Sequence, residues 1–339
     1  MRTTGRARIG ALLLVAALDL ACAPATASPG PVAPTSPTTP APVVPTRRPA
    51  PPAPLPAVWR TIPSAAVAAH DEPVTYRNGC HASGITVIPR PCTFGDARGA
   101  RTILLFGDSH AAHWHAAVLG TAAAHGWRVL TLTKSSCPAA SVYVRRYKQT
   151  TNYAECAAWR TAALAKLRAH AYGRIDVVVV SNWHFHQVLS SVRGHVLTGS
   201  ARTTAWEIGM RRTLASLVVA APQVVLLRDS PQLPGPATRA KACYARYGTA
   251  AGRRCGTTRS RALNAATWSA ETAAAAAFPG KVTAYDLTSA TCSSTWCGPV
   301  VRPYLMFKDD NHWNQTFMRI HFTPLLRPII ETAVARIPA

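Results

Sequence analysis

Five short apolar runs rich in β-branched residues are spaced along most of the chain, and Ala-rich stretches of helical length fall between them. The runs are Thr102–Phe106, Val129–Thr133, Ile175–Val180, Val224–Leu227 and Val282–Tyr285. Their nearly continuous hydrophobicity predicts strands covered on both faces. The stretches Ala111–Ala124, Tyr153–Ala169, Thr203–Val219, Thr258–Phe278 and Gln315–Ala335 read as helices. This alternation predicts an α/β fold of three layers, α/β/α, with a central, mostly parallel five-stranded sheet. In such a sheet, ligands lie beyond the carboxyl ends of the strands.

The residues just past the end of each run are therefore the candidates for chemistry. The first run breaks at Gly107-Asp108 and gives way to a helix, so Ser109 sits on a strand-to-helix turn with its hydroxyl exposed. A serine at its free pKa is a poor nucleophile and needs a base, itself held in one tautomer by a third group. Asp309 and His312, three residues apart before the last helix, supply acid and base from one loop. Asp310 competes with Asp309 for the acid role. Asp108 is expected to brace the turn rather than serve in the triad. His113 and His115, two apart on one helix, point to different faces and are expected to be structural. Trp183, His184 and His186 come after the third run and could line a substrate cleft.

These blocks resemble the SGNH hydrolase superfamily, most closely the extracytoplasmic SGNH domain of acyltransferase-3 proteins that O-acylate surface glycans. The resemblance runs from about Asn78 to about Leu325. It rests on Cys92-Thr93-Phe94-Gly95-Asp96, Gly107-Asp108-Ser109-His110-Ala111, Thr133-Lys134-Ser135-Ser136-Cys137-Pro138 and Asp309-Asp310-Asn311-His312. It implies an SGNH, flavodoxin-like fold, an acyl-serine intermediate and no cofactor or metal. The oxyanion is then expected to meet the backbone N–H of Ser109, a backbone N–H of Ser135 or Ser136, and the side-chain amide of Asn182. The family pattern has a glycine where Ser135-Ser136 stand, and an asparagine that Asn182 matches.

The N-terminus reads as an export signal over residues 1–27: Arg2, Arg6 and Arg8, then apolar Ile9–Leu18, then Ala25-Thr26-Ala27. Cys22 leaves lipoprotein processing open as a second route, with Asp19 as a departure from that pattern. Residues 28–56, dominated by Pro, Ala and Thr, are expected to form an extended linker, and 57–339 the catalytic domain. The other eight cysteines fall into four sequence-local couples: Cys80–Cys92, Cys137–Cys156, Cys243–Cys255 and Cys292–Cys297. In an exported chain these predict disulfides, since none has the Cys-x-x-Cys spacing of a zinc site.

Charge narrows the partner. Lys and Arg number 37 against 14 Asp and Glu, a formal net charge of +23. Export makes nucleic acid the wrong polyanion, leaving an acylated envelope glycan or another anionic envelope polymer. The expected activity is that of a secreted or envelope-bound serine acyl-ester enzyme. It would act as an O-acyltransferase fed by a separate membrane acyltransferase, or as an esterase. A non-catalytic glycan-binding protein on the same fold is the alternative.

Overall fold

The structure, a computed structural model, describes residues 60–338. The expected export signal, Cys22 and the Pro/Ala/Thr-rich linker lie outside the described residues.

All five expected strands are present, and two more join them. The strands are β1 His81–Ala82, β2 Cys92–Gly95, β3 Thr102–Gly107, β4 Arg128–Lys134, β5 Val177–Ser181, β6 Gln223–Leu227 and β7 Val282–Tyr285. They form one sheet of order β1-β4-β3-β5-β6-β7, in which β2 pairs antiparallel with β4 and every other pairing is parallel. The count of seven corrects the expected five. β1 and β2 share the outer edge of β4, are short, and are only partly buried, so they carry no apolar run to betray them. The Cys80–Cys92 disulfide joins this edge, and the other three expected couples are bonded too. Lys134, at the end of β4, donates to the carbonyls of Ser83, Gly84 and Thr86 at 2.5–3.0 Å, fixing the loop after β1.

Alternate side chains of the strands feed two cores. Leu104, Phe106, Val178, Val180, Val224 and Leu226 pack on one face beneath α3 (Ala154–Arg168), α4 (Gly199–Ala220) and α6 (Ala265–Ala276). Ile103, Leu105, Val177, Val179, Val225 and Leu227 pack on the other, beneath α2 (His115–Ala123), α5 (Ala237–Tyr247) and α7 (Thr323–Ala335). Three expected helices are interrupted. The first divides into α1 (Ser109–Ala112) and α2 around His113-Trp114. Asn264 accepts from the Thr267 N–H at 3.1 Å and starts α6 there, detaching a short helix at Arg259–Ala262. The last helix passes through a π-helical turn at Met318–Phe322, just before Pro324, which has no N–H to give. α5 had no sequence signal, because its buried face is only Ala240 and Tyr244.

Register explains why the turn after β3 needs glycine. Gly107 is flanked by Thr133 of β4 and Ser181 of β5 and adopts φ 144°. A Cβ here would collide with the Ser181 carbonyl oxygen and approach Ala111 Cβ to 2.8 Å. Gly107→Ala is expected to cost roughly 3 kcal/mol in urea unfolding. Gly126→Ala, at φ 61° with open space around it, is expected to cost only about 1 kcal/mol. Equal losses at the two positions would contradict this account.

Candidate active site

The chain folds so that Ser109 meets His312. Asp108 starts α1 by accepting the His110 N–H at 2.8 Å, which leaves the Ser109 backbone N–H at the first helical position without an intrahelical acceptor. Ser109 Oγ lies 2.9 Å from His312 Nε2, and His312 Nδ1 lies 2.8 Å from Asp309 Oδ2. That pairing makes Nδ1 the protonated ring nitrogen and turns the Nε2 lone pair toward the serine hydroxyl. Asp309 Oδ1 accepts the backbone N–H groups of Asn311 and His312 at 3.0 and 2.7 Å. Burial would raise the Asp309 carboxyl, but the neighbouring imidazole and these donors hold it well below the ordinary carboxylate range. The loop is fixed from outside as well. Ser230 Oγ donates to the Asn311 carbonyl at 2.7 Å, the Leu233 N–H to the Asp310 carbonyl at 2.8 Å, and Tyr244 OH to the Asp309 carbonyl at 2.8 Å.

The family described as SGNH domain (fused to AT3 domains) matches residues 79–324. The chain belongs to that family. No curated protein matches it significantly. Among solved structures it is similar to the periplasmic domain of a lipopolysaccharide acetyltransferase from Salmonella ser. Paratyphi A. The identity is 14%, the TM-score 0.48, and the match covers 69% of this chain and 85% of that one.

In this SGNH domain the expected oxyanion donors divide. The Ser135 N–H donates to the Ala82 carbonyl at 2.9 Å and is spent. Ser136, at φ 52°, lines the hollow beside Ser109, and among the described residues its N–H has no protein acceptor. A serine in the left-handed region here takes the conformation that the family's glycine would adopt freely. Asn182 is a correction. It is fully buried behind the rim, its Nδ2 donating to Glu271 Oε1 at 2.9 Å and its Oδ1 accepting the Ala139 N–H at 2.6 Å. The structure does not bring it to the hollow. Asp310 also stands apart from His312, accepting from Gln232 Nε2 at 2.9 Å.

Three further imidazoles of this SGNH domain are each paired with a buried carboxylate. Asp229 accepts from His110 Nδ1 at 2.6 Å and from the His184 N–H at 2.7 Å. Glu271 accepts from His184 Nε2 at 3.0 Å, and Asp108 from His186 Nε2 at 2.8 Å. Burial opposes charge on His110, yet Asp229 raises its pKa above the ordinary value; the ring lines the hollow, 4.8 Å from that of His312. Burial pushes His186 down, so it donates as a neutral ring. His113 is fully buried, with both ring nitrogens unpartnered among the described residues, and is held neutral by burial; His115 packs edge-on against Phe94. Trp183 and His186 line the hollow, whereas His184 is enclosed. Sequence reasoning missed His110, Asp229 and Tyr76. The Tyr76 hydroxyl is buried beside the Ser109 side chain, and burial together with the charges of Asp309, Asp108 and Glu72 keeps it protonated. Asp229 lies just past β6, at a strand end where the rim rule could have found it. Among the described residues no group of three or more His, Cys, Asp or Glu is arranged to hold a metal ion.

Asn182→Ala leaves Glu271 and the Ala139 N–H short of partners, so thermal stability should drop. Turnover per folded molecule should change far less than the roughly 10²–10³-fold loss seen on removing an oxyanion donor; a loss of that size would restore Asn182 to the site. Asp108 offers a pH test. Burial would raise its carboxyl, but the hydrogen bond from His186 and then its other neighbours pull it from 3.8 to about 2. A depressed carboxyl adds stability that is present above its unfolded pKa and lost as pH falls from about 4 to about 2. Wild type should therefore exceed Asp108→Asn by about 2 kcal/mol in urea unfolding at pH 6, the gap closing toward pH 2. A gap independent of pH would show that the charge of Asp108 contributes nothing.

Proposed function

We propose that this SGNH domain is an exported serine acyl-ester enzyme acting on O-acyl groups of envelope carbohydrate. The observation that carries the reading is the unbroken relay from Asp309 through His312 to Ser109 Oγ, at 2.8 and 2.9 Å. Ser109 Oγ attacks the ester carbonyl while His312 Nε2 takes its proton, and Asp309 steadies the imidazolium. The oxyanion forms against the Ser109 and Ser136 N–H groups. His312 then returns the proton to the leaving oxygen, and the acyl group stays on Ser109. Water ends the cycle as hydrolysis; a sugar hydroxyl, deprotonated by the same imidazole, ends it as transfer.

The hollow beside Ser109, about 40 Å³, suits an acetyl-sized group better than a long chain. Four disulfides favour an oxidising compartment. Acyl donors of the cytoplasm are absent there, so transfer would draw on a membrane acyltransferase. Among the described residues no helix is long and apolar enough to cross a membrane.

A chromogenic acetyl ester and mass spectrometry of the trapped protein test the chemistry. Wild type should gain one acetyl group on Ser109. Ser109→Ala should lose acylation, and His312→Ala should fall nearly as far because the hydroxyl loses its base. Full activity in Ser109→Ala would end the serine-enzyme reading in favour of a water-activating mechanism, and the absence of both acylation and hydrolysis in wild type would favour a binding protein on this fold.

A further inference from the structure

A second recess opens directly beside the hollow. It encloses about 370 Å³ and is walled by the segments Arg145–Thr150 and Trp183–Gln187. Tyr147, Trp183 and His186 line both spaces, so the recess continues the surface that reaches Ser109. Its walls are tied together. The Arg145 N–H donates to the Gln187 carbonyl at 3.0 Å, and Tyr143–Val144 pairs antiparallel with Val188–Leu189. The first segment is the tip of a hairpin, closed by the Arg145–Asn152 bridge and by the Arg146 N–H on the Thr151 carbonyl at 3.0 Å.

Chemistry separates the two walls. The hairpin brings Arg145, Arg146 and Lys148, and among the described residues no Asp or Glu lines the recess. None of the three cations makes a salt bridge among the described residues. Among the described residues Arg145 Nε is buried without an acceptor, a costly state in a folded protein unless a ligand relieves it. Lys148 adopts φ 57°, a strained conformation for a residue with a side chain, at the tip that presents it. The facing wall offers the rings of Trp183 and Phe185, with Tyr147 set edge-on to Trp183 at 5.4 Å. Flat aromatic faces pack against sugar rings, and guanidinium groups take carboxylates or phosphates through paired N–H donors.

We propose that this recess is the glycan subsite of the enzyme and takes an anionic saccharide. A sugar ring packs on Trp183, its carboxylate or phosphodiester meets Arg145, Arg146 and Lys148, and the acylated or accepting hydroxyl turns toward Ser109. This rests on Ser109 being the nucleophile only for the direction in which the hydroxyl points. Binding can be read without turnover, so the two ideas fail separately.

The test is titration calorimetry on the full chain carrying Ser109→Ala, with polygalacturonate, a phosphodiester-linked phosphomannan and neutral dextran as probes. At least one anionic probe should bind and dextran should bind far more weakly. With three cations engaged, affinity should fall roughly tenfold between 50 and 200 mM salt. Arg145→Gln/Arg146→Gln/Lys148→Gln should weaken binding at least tenfold. Lys166→Gln/Arg168→Gln/Arg212→Gln removes the same charge from α3 and α4 and should leave binding intact. Should the first triple variant misfold, Arg146→Gln/Lys148→Gln keeps the half-buried Arg145 and should still show most of the loss. Carboxylate and phosphodiester polymers identify which anion is preferred. Equal losses in the two triple variants, dextran binding as tightly as the anions, or a single-stranded oligonucleotide binding more tightly than either glycan would overturn the proposal.

Discussion

The buried carboxylate of Asp108 is the interaction on which the rest of the site depends. It lies at the end of β3, fully enclosed, and accepts N–H groups from three places: His110 in its own turn, Trp183 after β5, and the His186 ring. A bare carboxylate at that depth would cost several kcal/mol; with its oxygens satisfied, it joins the ends of two neighbouring strands. Ser109 is consequently displayed from a turn that cannot rotate, and Trp183 is aimed at the same rim. Removing one partner would leave a buried charge uncompensated, which is far worse than never having placed the pair.

The same device recurs behind the site. Acids are scarce in this chain, 14 against 37 basic residues, yet Asp108, Asp229 and Glu271 are buried here, each with a histidine. Glu271 also accepts from Asn182 and Trp206, linking α6 to the end of β5 and to α4. Asp229 joins the end of β6 to α1 through His110. Parallel strands deliver Asp108 and Asp229 to one edge, α6 brings Glu271 against it, and the imidazoles convert that edge into a hydrogen-bonded plate. His312, the histidine placed beside the serine, lies on this plate rather than within it and remains half-buried.

What could be read from sequence divides along a physical line. Buried parallel strands announce themselves by continuous apolar runs, so β3 to β7 were legible. β1 and β2 bury only alternate or partial surfaces and are held by a disulfide and by Lys134, neither of which leaves a periodic pattern. Asp309 and His312 were legible because acid and base share one turn, where spacing alone restricts geometry. Glu271 was not, because it comes from within a helix and its partner lies 87 residues away; Asp229 stands at a legible strand end, but its partner, 119 residues away, gives no local signal. Asn182 was placed correctly at a strand end but assigned the wrong neighbour. Family pattern gives position, while the atom that takes its hydrogen bond comes from α6, and no local signal in Ala265–Ala276 names Glu271 as that atom.

An enzyme built as proposed can change its substrate without changing its chemistry. The hollow's candidate donors are backbone N–H groups, so Ser136 can stand where the family has glycine as long as the left-handed turn is kept. The carboxylate and histidine pairs behind it tolerate little, since each is buried and mutually required. The hairpin Arg145–Thr150 contributes nothing to that plate: its side chains form no salt bridge among the described residues, and its backbone attaches through strand pairing to Val188–Leu189. Charge and aromatic content there can be exchanged without disturbing Asp108 or His312. On the proposed reading, selection for a different glycan would therefore act on the hairpin, while the chemistry at Ser109 stays fixed by the acids beneath it.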